Sequence, residues 1–247
     1  MISVKNIVQD YFSELKTAVD AISLDDIQKI ANVLLSAYKK DKTVFILGNG
    51  GAASTASHMS CDLGKGTLKN VYNKREKRFR AISLTDNVAT MTAFANDLSY
   101  DDMFVQQLHN LVKKGDIVIG ISGSGNTPNI IKALMYAKDQ GAITVGFLGY
   151  HNGGKAKEFV DYDITIQSAS YGIIEDLHLA LGHVFTSCLS YVKKHADAQE
   201  VLINDSKSQT SKKSTNSSKT QKARRYKPQT PAKGYTVSEW TERSARK

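Results

Sequence analysis

His58 and Asp62 stand four residues apart, so on a helix their side chains share one face. An imidazole beside a carboxylate can relay a proton or hold a divalent cation. Groups of the same chemistry recur far downstream, where Glu175, Asp176, His178 and His183 fall within nine residues. Glu175 and His183 are eight apart, a little over two helical turns, which puts them near one face, with His178 as an alternate. Two turns add groups suited to an anion. Gly48-Asn49-Gly50-Gly51 follows the apolar run Thr43–Leu47, and Ser122-Gly123-Ser124-Gly125-Asn126-Thr127-Pro128 follows Asp116–Ile121. A strand, a glycine turn and a helix N-terminus aim backbone N–H groups at a bound anion. In the second turn the hydroxyls of Ser122, Ser124 and Thr127 suit a phosphate, although such residues also serve simply as N-caps.

The elements around these groups alternate. Apolar positions on a helical period predict helices over 4–22 and after Ser23, an N-cap with Asp26 at N3. These two helices could pack on the sheet or on another subunit. Further short strands are predicted at Phe79–Leu84, expected to be buried, and at Ile143–Leu148 and Tyr162–Gln167. Helical segments lie between them, including one that starts near Asp101-Asp102 and a long one over Gly172–Lys194. Pro128 suits the first turn of a helix. Strands spaced by helices predict an α/β domain with parallel strands and ligands at their carboxyl ends, the edge that carries both glycine turns.

The 247 residues are 41% hydrophobic and 23% charged, ordinary for a globular protein. The net charge of +9 is unevenly spread. Residues 206–247 carry 12 Lys/Arg against two Glu, whereas residues 1–205 carry 21 Lys/Arg against 22 Asp/Glu. The expected organisation is a globular domain, 1–200, and a basic, Ser/Lys-rich disordered tail, 203–247. That tail supports at most non-specific contact with polyanions. Lys69–Arg80 holds six basic residues and one acid, either a solvated loop or a basic rim that draws an anion to the site. Cys61 and Cys188 show no metal or disulfide spacing and are expected to be buried thiols. Neither a secretory leader nor a membrane span is predicted, so the expected compartment is the cytoplasm.

Gly48-x-Gly50-x-x-Ala53 matches a dinucleotide fingerprint, but the region where an acid should bind the ribose is the basic Lys69–Arg80 stretch. A better match covers more of the chain. The segments GNGGAASTASHMSCDLGKG, AISLTDN, AFANDLSYDDMF, GDIVIGISGSGNTPNIIKAL and EDLHLALGH, in this order, resemble a SIS (sugar isomerase) domain. Among SIS domains they are most similar to the phosphoheptose isomerases, over roughly residues 3–195. The resemblance implies a three-layer αβα sandwich with a five-stranded parallel sheet, preceded by two N-terminal helices, and a homotetramer with shared sites. It implies isomerisation of sedoheptulose 7-phosphate to a heptose 7-phosphate through an enediol. By position, it implies Asp62 and His183 as the catalytic pair, and Asn49, Gly50, Gly51, Asn96, Asp97, Ser122, Gly123, Ser124, Thr127 and Glu175 as substrate contacts. It also implies a zinc ion, one per subunit, on His58, Asp62, Glu175 and His183.

Three residues depart from that family pattern. Asp62 stands in place of Glu and reaches about 1.5 Å less far. Glu175 stands in place of Gln, and Ala52 in place of Ser. The family also contains non-catalytic sugar-phosphate sensors and partner-binding proteins, which is the alternative function.

Overall fold

The structure is a computed structural model that describes residues 3–195. The expected tail, 203–247, lies outside the described residues, as does the end of the expected domain.

Five parallel strands form one sheet in the order β2-β1-β3-β4-β5: β1 Thr43–Gly48, β2 Arg80–Ser83, β3 Ile117–Ser122, β4 Ile143–Leu148 and β5 Tyr162–Thr165. Alternate residues of β1 point to opposite faces, as strand geometry requires. Val44 and Ile46 join Ile117, Ile119 and Phe147 in one core, against helices from both ends of the chain. Phe45 and Leu47 join Val118 and Leu148 in the other core. The result is the expected three-layer αβα architecture.

Two N-terminal helices precede the sheet: α1, Val4–Asp20, and α2, Leu24–Lys39. Ser23 caps α2 as predicted, its Oγ accepting from Asp26 N at 3.2 Å. Between sheet and neighbouring subunit, α2 takes the sheet side, burying Ile30, Leu34 and Leu35. Of α1 only Ala18 is buried, while Val4, Ile7, Val8 and Phe12 form an exposed apolar stripe. Polar bonds hold α1 in place: Tyr11 OH donates to Asp176 Oδ2 at 2.5 Å, and Ser168 Oγ donates to Glu14 Oε1 at 2.7 Å.

Several expected details change. β2 is an edge strand with Arg80 and Ile82 exposed, because among the described residues only β1 pairs with it. Asp116 stays outside β3, since its buried carboxylate accepts from Thr43 N and Lys113 N, both at 2.9 Å. Asn96 and Asp97 are the last two residues of the helix α4, Val88–Asp97. After a 3₁₀ turn at Tyr100–Asp102, α5 runs over Met103–Leu111. Both cysteines are free and exposed rather than buried. Cys188 lines an apolar groove of about 380 Å³ between α2 and the last helix, α7, Tyr171–Lys194. Its apolar neighbours form an open cleft there, although they still push the thiol pKa upward.

The basic stretch is fastened by its one acid. Glu76 accepts from Lys69 N at 2.8 Å and Asn70 N at 3.1 Å, which holds its carboxyl below the usual range. Lys193, 7% exposed, approaches it at 3.5 Å. Lys77 Nζ donates to Lys39 O, and Arg80 Nε to Thr43 Oγ1. Thr43 opens β1, so this anchoring is at the amino edge of the sheet, opposite both glycine turns.

Candidate functional site

β1 and β3 are neighbours, yet the chain visits β2 between them. The strand order reverses at this pair, and that switch point is where open α/β sheets leave a crevice for ligands. Both glycine turns leave from it. Gly50, at φ +56°, caps the N-terminus of α3, Gly51–Cys61, without a side-chain hydrogen bond. α6, Pro128–Asp139, starts the same way: Thr127 sits at its N-cap, its hydroxyl makes no capping bond, and Pro128 opens the first turn as expected. Two helix N-termini with unfilled caps therefore face the crevice, a favourable field for an anion.

The second turn is rigid. Gly125 N donates to Ser122 Oγ at 3.0 Å, and Asn126 N to Ser124 Oγ at 3.2 Å. Ser122 Oγ and Thr127 Oγ1 lie 3.4 Å apart. Gly125 has φ +62°, and a Cβ there would fall 1.9 Å from Gly153 O, so only glycine fits. Gly123 packs its backbone on the Tyr171 ring.

α3 and α7 lie side by side. Gly51 at the start of α3 meets Glu175, and His58 near its end meets His183, so the two helices run parallel. Gly182 allows the close approach, with its Cβ position 3.7 Å from Met59. After Cys61 the helix widens into a π-helical turn, Asp62–Gly66, a distortion often found at functional sites. Asp62 opens this turn. Its Oδ2 lies 3.3 Å from His58 Nε2 and 3.7 Å from His183 Nε2, and the two imidazole nitrogens are 3.0 Å apart.

These three donor atoms fit within 4.8 Å of one another, a spacing and a donor set that suit a divalent transition metal such as zinc. Both imidazole side chains are about half exposed, at 49% and 51%, which leaves the cluster open on one side. Glu175 lies outside the cluster, contrary to the four-ligand expectation. Its carboxylate rests on Gly51, and the eight residues to His183 rise about 12 Å along α7. His178, the alternate, is a core residue. It is 1% exposed, its Nε2 donates to Leu148 O at 3.0 Å, and burial pushes its pKa down to about 4.

The SIS domain model matches residues 9–149, more than half of the chain. The chain belongs to the SIS domain family. The phosphoheptose isomerase of Clostridium acetobutylicum is 34% identical over 169 residues, spanning 68% of this chain and 83% of that protein. The phosphoheptose isomerase of Aquifex aeolicus is 34% identical over 172 residues, spanning 70% and 87%. The solved phosphoheptose isomerase of Neisseria gonorrhoeae superposes with a TM-score of 0.69 at 26% identity, covering 77% of this chain and 100% of that one.

Within this SIS domain, some polar residues escaped the sequence reading. Asn129, fully buried in the first turn of α6, exchanges two hydrogen bonds with Asn49: Asn49 Nδ2 donates to Asn129 Oδ1 at 2.9 Å, and Asn129 Nδ2 to Asn49 Oδ1 at 3.1 Å. Tyr100 OH donates to the same Asn49 Oδ1 at 3.0 Å. Ser57 on α3 bonds to Thr85 at 3.1 Å and also to Asp86, tying α3 to the turn after β2. A polar residue just after Thr-Pro at a helix start was the available signal for Asn129. Asn96 and Asp97 bond to each other at 2.9 Å and, among the described residues, to no other predicted site residue.

Proposed function

We propose that this protein is a phosphosugar isomerase of the phosphoheptose isomerase type, acting on sedoheptulose 7-phosphate. The observation that carries the proposal is the cluster of His58, Asp62 and His183, borne on the same helix whose N-terminus, about 10 Å away from His58, opens with that of α6 at the sheet's switch point. The names of the relatives support the choice of sugar.

In this reading the phosphate sits on the Ser122–Thr127 turn, held by backbone N–H groups of that turn and of α6 and by the hydroxyls of Ser122, Ser124 and Thr127. The sugar lies toward Asn49, Gly50 and Gly51, with Gly123, Asn96, Asp97 and Glu175 as further contacts. Asp62 removes a proton from C1 of the ketose while His183 gives one to the C2 carbonyl oxygen. The enediol then regains its carbon proton at C2 and loses the O1 proton to His183, giving the aldose. A zinc ion held by His58, Asp62 and His183 would polarise the carbonyl in place of the His183 proton, leaving the second Asp62 oxygen for the carbon proton. The short Asp62 side chain still reaches its partners: its carboxylate lies 3.3 Å from one imidazole and 3.7 Å from the other, close enough to share a metal ion with both.

The reading includes a homotetramer with shared sites in the cytoplasm. The exposed apolar stripe of α1 and the half-exposed histidines support an assembly that covers them. No described helix is long and apolar enough to cross a membrane. The segment beyond the domain, 203–247, is proposed to act apart from catalysis.

Incubating the purified full chain with sedoheptulose 7-phosphate and following aldose formation by NMR tests the proposal. Turnover that Asp62→Asn and His183→Ala abolish is expected. Binding of the sugar phosphate without turnover, with or without zinc, would replace the isomerase reading with that of a sugar-phosphate sensor.

A further inference from the structure

A fully buried amide in the first turn of α6 needs a reason. Asparagine is a poor helix former, and an amide in the core is costly unless its groups are bonded. Asn129 is 0% exposed, beside Ile130 and Ala133 of the core, where an apolar side chain would pack at lower cost. Its two bonds to Asn49 define both the position and the plane of that amide. Tyr100 supplies a third bond from the 3₁₀ turn before α5. With Asn129 Nδ2 and Tyr100 OH both donating to it, Asn49 Oδ1 has used its two lone pairs. One hydrogen on Asn49 Nδ2 is left, and Asn49 is only partly buried at the carboxyl end of β1.

We infer that Asn129 and Tyr100 are positioning residues that lock the Asn49 amide, so that its one free N–H is presented to an oxygen of the sugar. This inference rests on the phosphosugar reading above. The clamp also ties the β1 turn to the helix that receives the phosphate, so the spacing between the sugar and phosphate subsites is set by an amide pair. The Ser122–Thr127 turn holds its own shape through Ser122, Ser124 and the contact of Gly125 with Gly153. Loss of the clamp therefore disturbs the sugar and spares the phosphate.

The test uses the full chain and two variants, Tyr100→Phe and Asn129→Leu. Tyr100 is 56% exposed, so removing its hydroxyl leaves the core untouched. Kinetics with sedoheptulose 7-phosphate are read beside competitive inhibition by inorganic phosphate. Tyr100→Phe is expected to lower kcat/KM about fivefold, the worth of one neutral hydrogen bond. Asn129→Leu is expected to lower it about a hundredfold, mainly in kcat, as a misplacement of about 1 Å does. The phosphate inhibition constant stays within about twofold in both variants. A Tyr100→Phe enzyme with unchanged kcat/KM, or variants that weaken phosphate as much as they slow turnover, would overturn the inference. A wild-type protein without turnover would instead count against the functional reading. In that case the side-chain NH₂ signal of Asn49, by ¹⁵N-asparagine NMR, still decides the clamp: protection from exchange that falls in Tyr100→Phe supports it, and an unprotected wild-type signal refutes it.

Discussion

Gly51→Ala separates folding from function at a single methyl group. A Cβ at Gly51 would fall 2.6 Å from Glu175 Oε1 and 2.8 Å from Oε2. Ordinary van der Waals contact begins at 3.4 Å, so the carboxylate must retreat by the difference, about 0.8 Å. Glu175 can do so cheaply, because the clash is with the far end of a flexible side chain. Gly51 does not have a positive φ, so alanine fits the backbone and limits the unfolded chain, a gain of about 0.4–1 kcal/mol. Stability should therefore hold or rise slightly. Activity should not, since a displacement near 1 Å in a substrate-positioning group can cost about a hundredfold. Thermal unfolding and steady-state isomerisation of sedoheptulose 7-phosphate are measured together, with Glu175→Ala and the double variant completing a cycle. In the double variant Gly51→Ala should add little to the effect of Glu175→Ala. Full activity in Gly51→Ala, or a loss that simply multiplies with that of Glu175→Ala, would refute the assignment of Glu175 to the substrate.

Other outcomes follow from single features. Metal analysis after zinc reconstitution should give about one ion per chain, falling at least tenfold in affinity in His58→Ala; equal zinc binding by the variant would remove the cluster as the site. His178 has a folded pKa of about 4 against 6.5 in the ordinary state, so the unfolded chain takes up the proton first. Its contribution is complete above pH of about 6.5 and is lost as pH falls toward 4, on the order of 3 kcal/mol. Urea unfolding at several pH values should show this slope in the wild type and a shallower one in His178→Gln; identical slopes would contradict it. Lys193→Met removes the ammonium beside Glu76, whose carboxylate keeps its two backbone donors, and should cost about 1 kcal/mol of unfolding free energy, against no change if the contact is incidental.

The sheet was legible because each buried strand is a short β-branched run closed by a glycine or polar turn, and β1, β3 and β4 are such runs. β2 was legible as a strand but not as an edge, because its exposure depends on which strand it neighbours. Amphipathic periodicity located α1 and α2 but could not name what each apolar face meets. The spacing of His58 and Asp62 identified one face, and the structure adds the π-helical turn, which has no side-chain signature beyond Gly64 and Gly66. His183 lies with His58 and Asp62, while Glu175, which the family resemblance set among the ligands and helical periodicity set only on the same face, sits about 12 Å back along α7. Asn129 was not legible because a polar residue in a first helical turn ordinarily faces water; here it is fully buried and paired with Asn49 at the end of β1. Cys188 is exposed for the converse reason, as its apolar neighbours in sequence form the wall of an open groove.

The central claim is that the cluster of His58, Asp62 and His183 isomerises a phosphosugar. The direct measurement is the ¹³C NMR spectrum of sedoheptulose 7-phosphate labelled at C2, followed in D₂O with the purified full chain and stoichiometric zinc. The account predicts an aldose 7-phosphate whose C2 carries solvent deuterium, formed by the wild type and not by Asp62→Asn. An unchanged ketose spectrum, or an aldose formed equally fast by Asp62→Asn, would contradict it.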